Sequence, residues 1–221
     1  MNHLCQQVAG SHKESMTLPQ TTSDDDLLRL MMAGREDAFT EIYRRRQAGV
    51  YRFAMQMSGS EAVAEDVTQE VFIVLMREAQ NYDPHRGSLA AYLYGIARNH
   101  VLRRLERDRL FVPFDDGAED EGAMTPATMI AQGDPLIDLT RNEMIDAVRG
   151  AVLALPAHYR EVVVLCDLHE MSYVEAANVI GCAVGTVRSR LHRARAMLVE
   201  KLRDRNEDKS SHAISPARCF A

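Results

Sequence analysis

Apolar residues recur at three-and-four spacing along most of the chain, and strand-like alternation is nearly absent. That periodicity predicts an all-α fold. Asp24–Asp26, acids suited to a helix N-terminus, open a pattern that runs to Met57. Leu27, Leu28, Leu30, Met31, Ala38, Phe39, Ile42, Tyr43, Val50, Tyr51, Phe53 and Ala54 form its apolar positions, and Gly34 and Gly49 read as breaks. A helix over Ser60–Ala79 follows the turn signal Ser58–Gly59, with Val63, Val67, Val71, Phe72 and Leu75 available for packing. A loop containing Asp83, Pro84 and Gly87 precedes another helix, Leu89–Arg107.

The pattern then changes. Residues 111–137 are rich in acids, Gly and Pro, and read as a flexible, negatively charged linker. Thr140 and Glu143 have capping-box spacing, which predicts a helix from there to about Leu155–Pro156, followed by one over Ala157–Leu168. The expected organisation is two small helical domains, 24–110 and 138–205, joined by that linker. Residues 1–23 and 206–221 are polar, without period, and read as disordered tails. An acidic linker of this kind is able to fold over a basic surface of the same chain and suppress binding there.

The most informative segment is Met171–Leu202. Ser172 and Glu175 form an S-x-x-E capping box, so a helix can start there with its first backbone donors satisfied. Tyr173, Ala176, Ala177 and Ile180 give it an apolar face, and Gly181 suits the left-handed position that ends it. Cys182–Val184 fills a turn, and a second helix runs from about Gly185 with Val187, Leu191, Ala194 and Leu198 as its inner stripe. Between those positions lie Arg188, Arg190, His192, Arg193 and Arg195. This is the grammar of a helix-turn-helix whose second helix meets phosphates and base edges. A planar guanidinium can grip a phosphate or reach guanine bidentately, and Thr186 and Ser189 sit where hydroxyls and free backbone donors bind a phosphate. A solvated amphipathic helix is the blander reading, and the capped two-helix pattern argues against it.

Net charge is −6, from 26 Lys and Arg against 32 Asp and Glu, which at first argues against a nucleic-acid partner. The distribution reverses that inference: between Gly185 and Arg205 seven basic residues face two acids. No apolar run is long enough for a membrane span, and the first residues lack the layout of a signal peptide, so a cytoplasmic protein without membrane insertion is expected. Of four cysteines, Cys166 and Cys182 fall at apolar positions and read as small core residues. Cys5 and Cys219, with His3 and His12 nearby, lie in the tails, where a metal or redox site is conceivable. No C-x-x-C pair or comparable ligand cluster exists, so no metal and no cofactor is expected.

Two further helices carry candidate chemistry. Glu65, Asp66, Gln69 and Glu70 line the polar side of Ala62–Arg77. The next helix interleaves Tyr92 and Tyr94 with Arg98, Asn99, His100, Arg103, Arg104, Arg107 and Arg109, a composition that suits stacking on unpaired bases while cations hold the backbone. With these residues in view, the chain resembles an extracytoplasmic-function (group IV) sigma factor of bacterial RNA polymerase. AEDVTQEVF at 64–72 is similar to the family's polymerase-clamp-binding motif, AAYLYGIARN at 90–99 to its promoter-melting helix, and 155–195 to its C-terminal promoter-binding domain. The three fall in the family's order and cover most of 24–205.

The resemblance implies roles. Glu65, Asp66, Gln69 and Glu70 would bind the clamp of the polymerase beta-prime subunit, with the beta subunit as a further partner. Asn81, Tyr82, His85, Arg86 and Ser88 belong to the loop that captures a flipped-out base of the minus-ten element, and Tyr92, Arg98, Asn99 and Arg103 would track the single strand beside it. Thr186, Arg188, Ser189, Arg190, His192, Arg193 and Arg195 would read and clamp the minus-thirty-five duplex. An anti-sigma factor is an implied partner. Tyr92 stands where the family often has Trp, and Arg103 where it often has Asp, changes that keep stacking and add charge. The expected function is promoter-specific transcription initiation with core RNA polymerase, by a protein that is not an enzyme. A polymerase-independent helix-turn-helix regulator is the alternative, and it requires no acidic face at Asp66–Glu70. A recombinase-like enzyme would need a positioned nucleophile or carboxylate metal cluster, which the pattern lacks.

Overall fold

The structure, a computed structural model, describes residues 22–111 and 135–212. The expected linker and N-terminal tail lie almost wholly outside the described residues, as do Cys5, Cys219, His3 and His12, but residues 206–212, expected to open a disordered tail, continue the last helix. Every regular element among the described residues is helical. The helices are α1 (Asp24–Met32), α2 (Glu36–Ser58), α3 (Glu61–Glu78), α4 (Leu89–Phe111), α5 (Pro135–Leu153), α6 (Ala157–Val163), α7 (Tyr173–Ile180) and α8 (Val184–His212). A 3₁₀ turn at Ala79–Asn81 follows α3, and a π-helical segment at Val164–Leu168 follows α6.

The chain divides into two compact units between Arg45 and Arg46, a point inside α2. In the first, the Ser23 side chain accepts from Asp26 N at 3.2 Å and caps α1, whose first turn holds Asp24, Asp25 and Asp26. Negative charge there meets the positive end of the helix dipole. Gly34, at φ 90°, separates α1 from α2 as expected. Glu41 accepts from Arg44 at 2.9 Å and from Arg45 at 2.6 Å, and these guanidinium hydrogen bonds push its carboxyl down to about 2.

In the second unit, α3 packs on α4, and α6 and α7 pack on α8. Val67, Val71 and Leu75 of α3 and Leu89, Leu93, Ala97 and Val101 of α4 are buried, each row spaced by about one helical turn. Val162–Leu165, Ala176, Ala177, Val187, Leu191 and Ala194 bury the corresponding stripes of the C-terminal helices. α4 also packs against α7, so one helix serves two neighbours.

Three further expectations are corrected. Gly49 does not break α2; a Cβ there would lie 2.9 Å from the Tyr94 hydroxyl, so the glycine admits a close approach of α4. Nor does Thr140 open α5, which starts at Pro135. Proline is pre-shaped for a first helical turn, and that start signal prevails over the capping box. Tyr173, expected on the apolar face of α7, is 38 % exposed.

Candidate nucleic-acid and partner interfaces

α3 shows how a single buried stripe fixes a surface. Ser60 caps its start, and Ala64, Val67, Thr68, Val71, Phe72 and Leu75 are buried. The Thr68 hydroxyl is satisfied by donating to Ala64 O at 2.7 Å. Glu65, Asp66, Gln69 and Glu70 are therefore all turned to solvent. Asp66 accepts from Arg104 of α4 at 2.8 Å. Sequence reasoning missed that the stripe continues. Ile73 and Met76, 39 % and 54 % exposed, extend Asp66 and Gln69 at three-and-four spacing, so an acidic face ends in an apolar one. That spacing was the available signal.

The loop between the 3₁₀ turn and α4 is held by its own side chains. Tyr82 donates to Gly87 O at 3.1 Å, and Asp83 accepts from His85 N at 3.0 Å. The Tyr82 and Tyr92 rings lie 5.6 Å apart, and the Tyr92 hydroxyl donates to Glu78 O at 3.4 Å. Burial, then Glu78, push the Tyr92 phenol up. Asn81, His85, Arg86 and Ser88 are exposed around this aromatic pair.

α4 divides the residues expected to act together. Tyr92, Asn99 and Arg103 fall within about 40° of one another around the helix. Arg98 is turned about 120° from Tyr92. Its Nε donates to Glu161 Oε2 of α6 at 2.7 Å. Tyr94, on that same side, bonds His169 at 3.0 Å, and the other ring nitrogen of His169 meets Gln56 Oε1 at 3.0 Å. One neutral tautomer satisfies both: Nε2–H donates to Gln56, and Nδ1 accepts from the Tyr94 hydroxyl. Burial first, then the nearby Arg52, hold the His169 imidazole down to about 4.

The helix-turn-helix forms as its sequence predicts. Ser172 N donates to Glu175 Oε2 at 3.0 Å and Glu175 N to Ser172 Oγ at 3.2 Å, completing the box. Gly181 closes α7 at φ 77°. Along α8, Arg188, Ser189, His192 and Arg193 are exposed and Thr186 is half-buried. The Arg188 guanidinium lies 5.8 Å from the centroid of the Tyr173 ring, which accounts for that tyrosine's place outside the core. Arg190 and Arg195 flank the Val187–Leu191–Ala194 stripe, Arg190 half-buried and Arg195 exposed, and both are engaged by acids. Arg190 donates to Glu161 Oε1 at 3.3 Å, and Arg195 donates through Nε to Asp167 at 3.1 Å. Sequence reasoning missed Glu161 and Asp167 altogether, because they lie in the apolar run of α6 and the π-helical segment that follows it.

Cys166 and Cys182 are half-buried free thiols, and burial, then Asp167, push the Cys166 thiol up, away from reactivity. Among the described residues no group of three or more His, Cys, Asp or Glu converges as metal ligands. No helix among them is long and apolar enough to cross a membrane.

The two helical sets also match known families. Residues 42–110 match the Sigma-70 region 2 family and residues 145–198 the Sigma-70 region 4 family, a pairing that defines a sigma-70-type factor. The ECF RNA polymerase sigma factor SigW of Bacillus subtilis is 31 % identical over 176 residues, covering 77 % of this chain and 92 % of SigW. The chain belongs to the ECF RNA polymerase sigma factors and is an alternative sigma factor. Among solved structures, CnrH in complex with the cytosolic domain of CnrY superposes with a TM-score of 0.61 and 26 % identity, covering 83 % of this chain and 99 % of CnrH. The sigma factor RpoE in complex with the anti-sigma factor NepR from Bartonella quintana gives 0.55 and 26 %, covering 75 % and 96 %.

Proposed function

We propose that this chain directs core RNA polymerase to its promoters through three surfaces. The stripe Glu65, Asp66, Gln69 and Glu70, ending in Ile73 and Met76, binds the clamp of the beta-prime subunit, while the beta subunit holds the second domain. The loop Asn81–Ser88 receives an unstacked base of the minus-ten element, and Tyr92, Asn99 and Arg103, with Arg98 once it is released, follow the single strand. Thr186, Arg188, Ser189, His192 and Arg193 contact the minus-thirty-five duplex, with Arg190 and Arg195 at the edges of that surface. The domains act as 24–110 and 138–205, in the cytoplasm, with no cofactor and no catalytic activity of their own. An anti-sigma factor restrains the protein, as NepR accompanies RpoE.

The observation that carries this reading is the coincidence of two exposed sets on one chain. An acidic stripe on α3 suits a basic protein partner, and outward arginines on the second helix of a capped helix-turn-helix suit phosphate and guanine. Tethering two weak DNA contacts raises the local concentration of each for its own element. The test is transcription in vitro from a pooled promoter library, using core polymerase with and without the protein. Protein-dependent starts sharing two spaced elements are expected. Inverted-repeat binding without polymerase would overturn the reading in favour of an operator-binding regulator.

A further inference from the structure

Region 4 covers part of region 2 in this structure, and the covering is made by specific polar contacts. Asn178 of α7 donates to Arg86 O in the minus-ten loop at 2.9 Å, and Ser88 Oγ donates to Glu175 Oε1 at 3.4 Å. Tyr94 meets His169, whose ring centroid lies 4.9 Å from its own, with Phe53 behind both. Arg160 of α6 donates to Met57 O at the end of α2. Glu161, only 2 % exposed, accepts from Arg98 of region 2 and Arg190 of region 4.

This form cannot sit on a promoter. Elements centred about 25 base pairs apart, as their names denote, are separated by about 85 Å of duplex. Here the helix-turn-helix touches the minus-ten loop at hydrogen-bond distance. The 23 residues between 111 and 135 can span about 80 Å when extended, so the chain is long enough for the two regions to part. A buried carboxylate with two arginines is also costly to disrupt from one side, since removing the acid leaves two cations facing each other.

We propose that Glu161 is an intramolecular latch: its carboxylate stands in for DNA phosphate, engaging one arginine from each DNA-binding region and holding the free sigma factor closed. The proposal rests on the reading of these surfaces as promoter-binding. Opening transfers Arg98 and Arg190 from Glu161 to nucleic acid and frees the Arg86 carbonyl and the Ser88 hydroxyl from Asn178 and Glu175. Because apparent affinity is the intrinsic affinity scaled by the open fraction, loosening the latch raises DNA binding by the free protein.

The test uses the full chain, without polymerase, titrated against a fluorescein-labelled 20-base-pair duplex of mixed sequence at low salt. Glu161→Gln keeps shape and removes charge, and about a tenfold gain in affinity is expected. Hydrogen exchange should quicken together at 86–98 and 161–178. Asn178→Ala, at an exposed site that does not endanger the fold, should shift both readouts in the same direction by about two- to threefold. The same preparations are then assayed for initiation with core polymerase. If the natural protein and both variants initiate alike, yet affinity and exchange are unchanged by either substitution, the latch is wrong and the sigma-factor reading stands. If Glu161→Gln unfolds, Asn178→Ala decides by the same criterion. If the natural protein itself fails to initiate, it is the functional reading that falls.

Discussion

α3 and α4 pack on each other and both carry charged side chains, but they use them differently. On α3 every polar residue singled out from sequence reaches solvent, because the helix has one buried stripe and the rest is surface. On α4 the arginines and tyrosines divide: Arg103 looks outward and Tyr92 packs on Tyr82, while Tyr94 and Arg98 are held by His169 and Glu161. A helix with one neighbour advertises its surface in its periodicity. A helix with two does not, since the second neighbour arrives from far along the chain and is itself polar.

The contrast can be broken most forcefully on α3. Replacing Asp66 and Glu70 together by Lys should reduce core-polymerase binding by about a hundredfold or more, since opposed charges at an interface are strongly disfavoured. Pull-down with core enzyme reads this, and the melting temperature should hardly move because both residues are exposed. On the α8 surface, Arg188→Ala and Arg193→Ala should each weaken promoter-duplex binding by about 1–3 kcal/mol in the holoenzyme. Arg195→Ala should cost less, because its guanidinium is already engaged by Asp167. Equal losses from all three would show that engagement by Asp167 does not set Arg195 apart from Arg188 and Arg193.

The inward set has a pH signature. His169 has a folded pKa of about 4, below the ordinary value of 6.5, because burial first and then the nearby Arg52 disfavour its charged form. Its contribution is present above pH 6.5 and is lost as pH falls towards 4, where the unfolded chain binds the extra proton. The shift corresponds to about 3 kcal/mol, and for a partly exposed ring about 2 is expected. Melting curves of the natural protein and His169→Phe should diverge in slope over that range; parallel slopes would refute the assignment. The smallest effect concerns the caps. Ser172→Ala should destabilise region 4 by about 1 kcal/mol in denaturant titration, whereas Ser60→Ala should cost a few tenths. The Ser172 box is complete, and Ser60 accepts one long bond of 3.4 Å.

Much of this was legible in advance. The all-α class, the capping box at Ser172 and the left-handed Gly181 follow from local chemistry, which one sequence contains in full. Gly49 was misread because a glycine that breaks a helix and one that admits a neighbour look alike until the neighbour, Tyr94, is known. The exposure of the α3 candidates was legible, but the pairings of Arg98 and Arg190 were not. Arg190 sits about 60° from Val187, at the margin of the buried stripe, where periodicity cannot say whether it faces water or an acid. Glu161 was invisible for the complementary reason: a lone acid in Arg160–Leu165 gains its meaning only from two arginines on other helices.

The π-helical segment at Val164–Leu168 has a consequence of its own. His169 N bonds Val164 O at 3.0 Å, five residues back, so the segment holds one residue more than an α-helix closing the same turn. Such an extra residue is a phase shift of about 100°. Deleting one residue there would return the helix to regular phase and swing the imidazole away from Tyr94, with every side chain on both surfaces left as it was. Among chains of this architecture, a single-residue difference in length at this point would then separate those whose two halves dock through the imidazole from those whose halves do not.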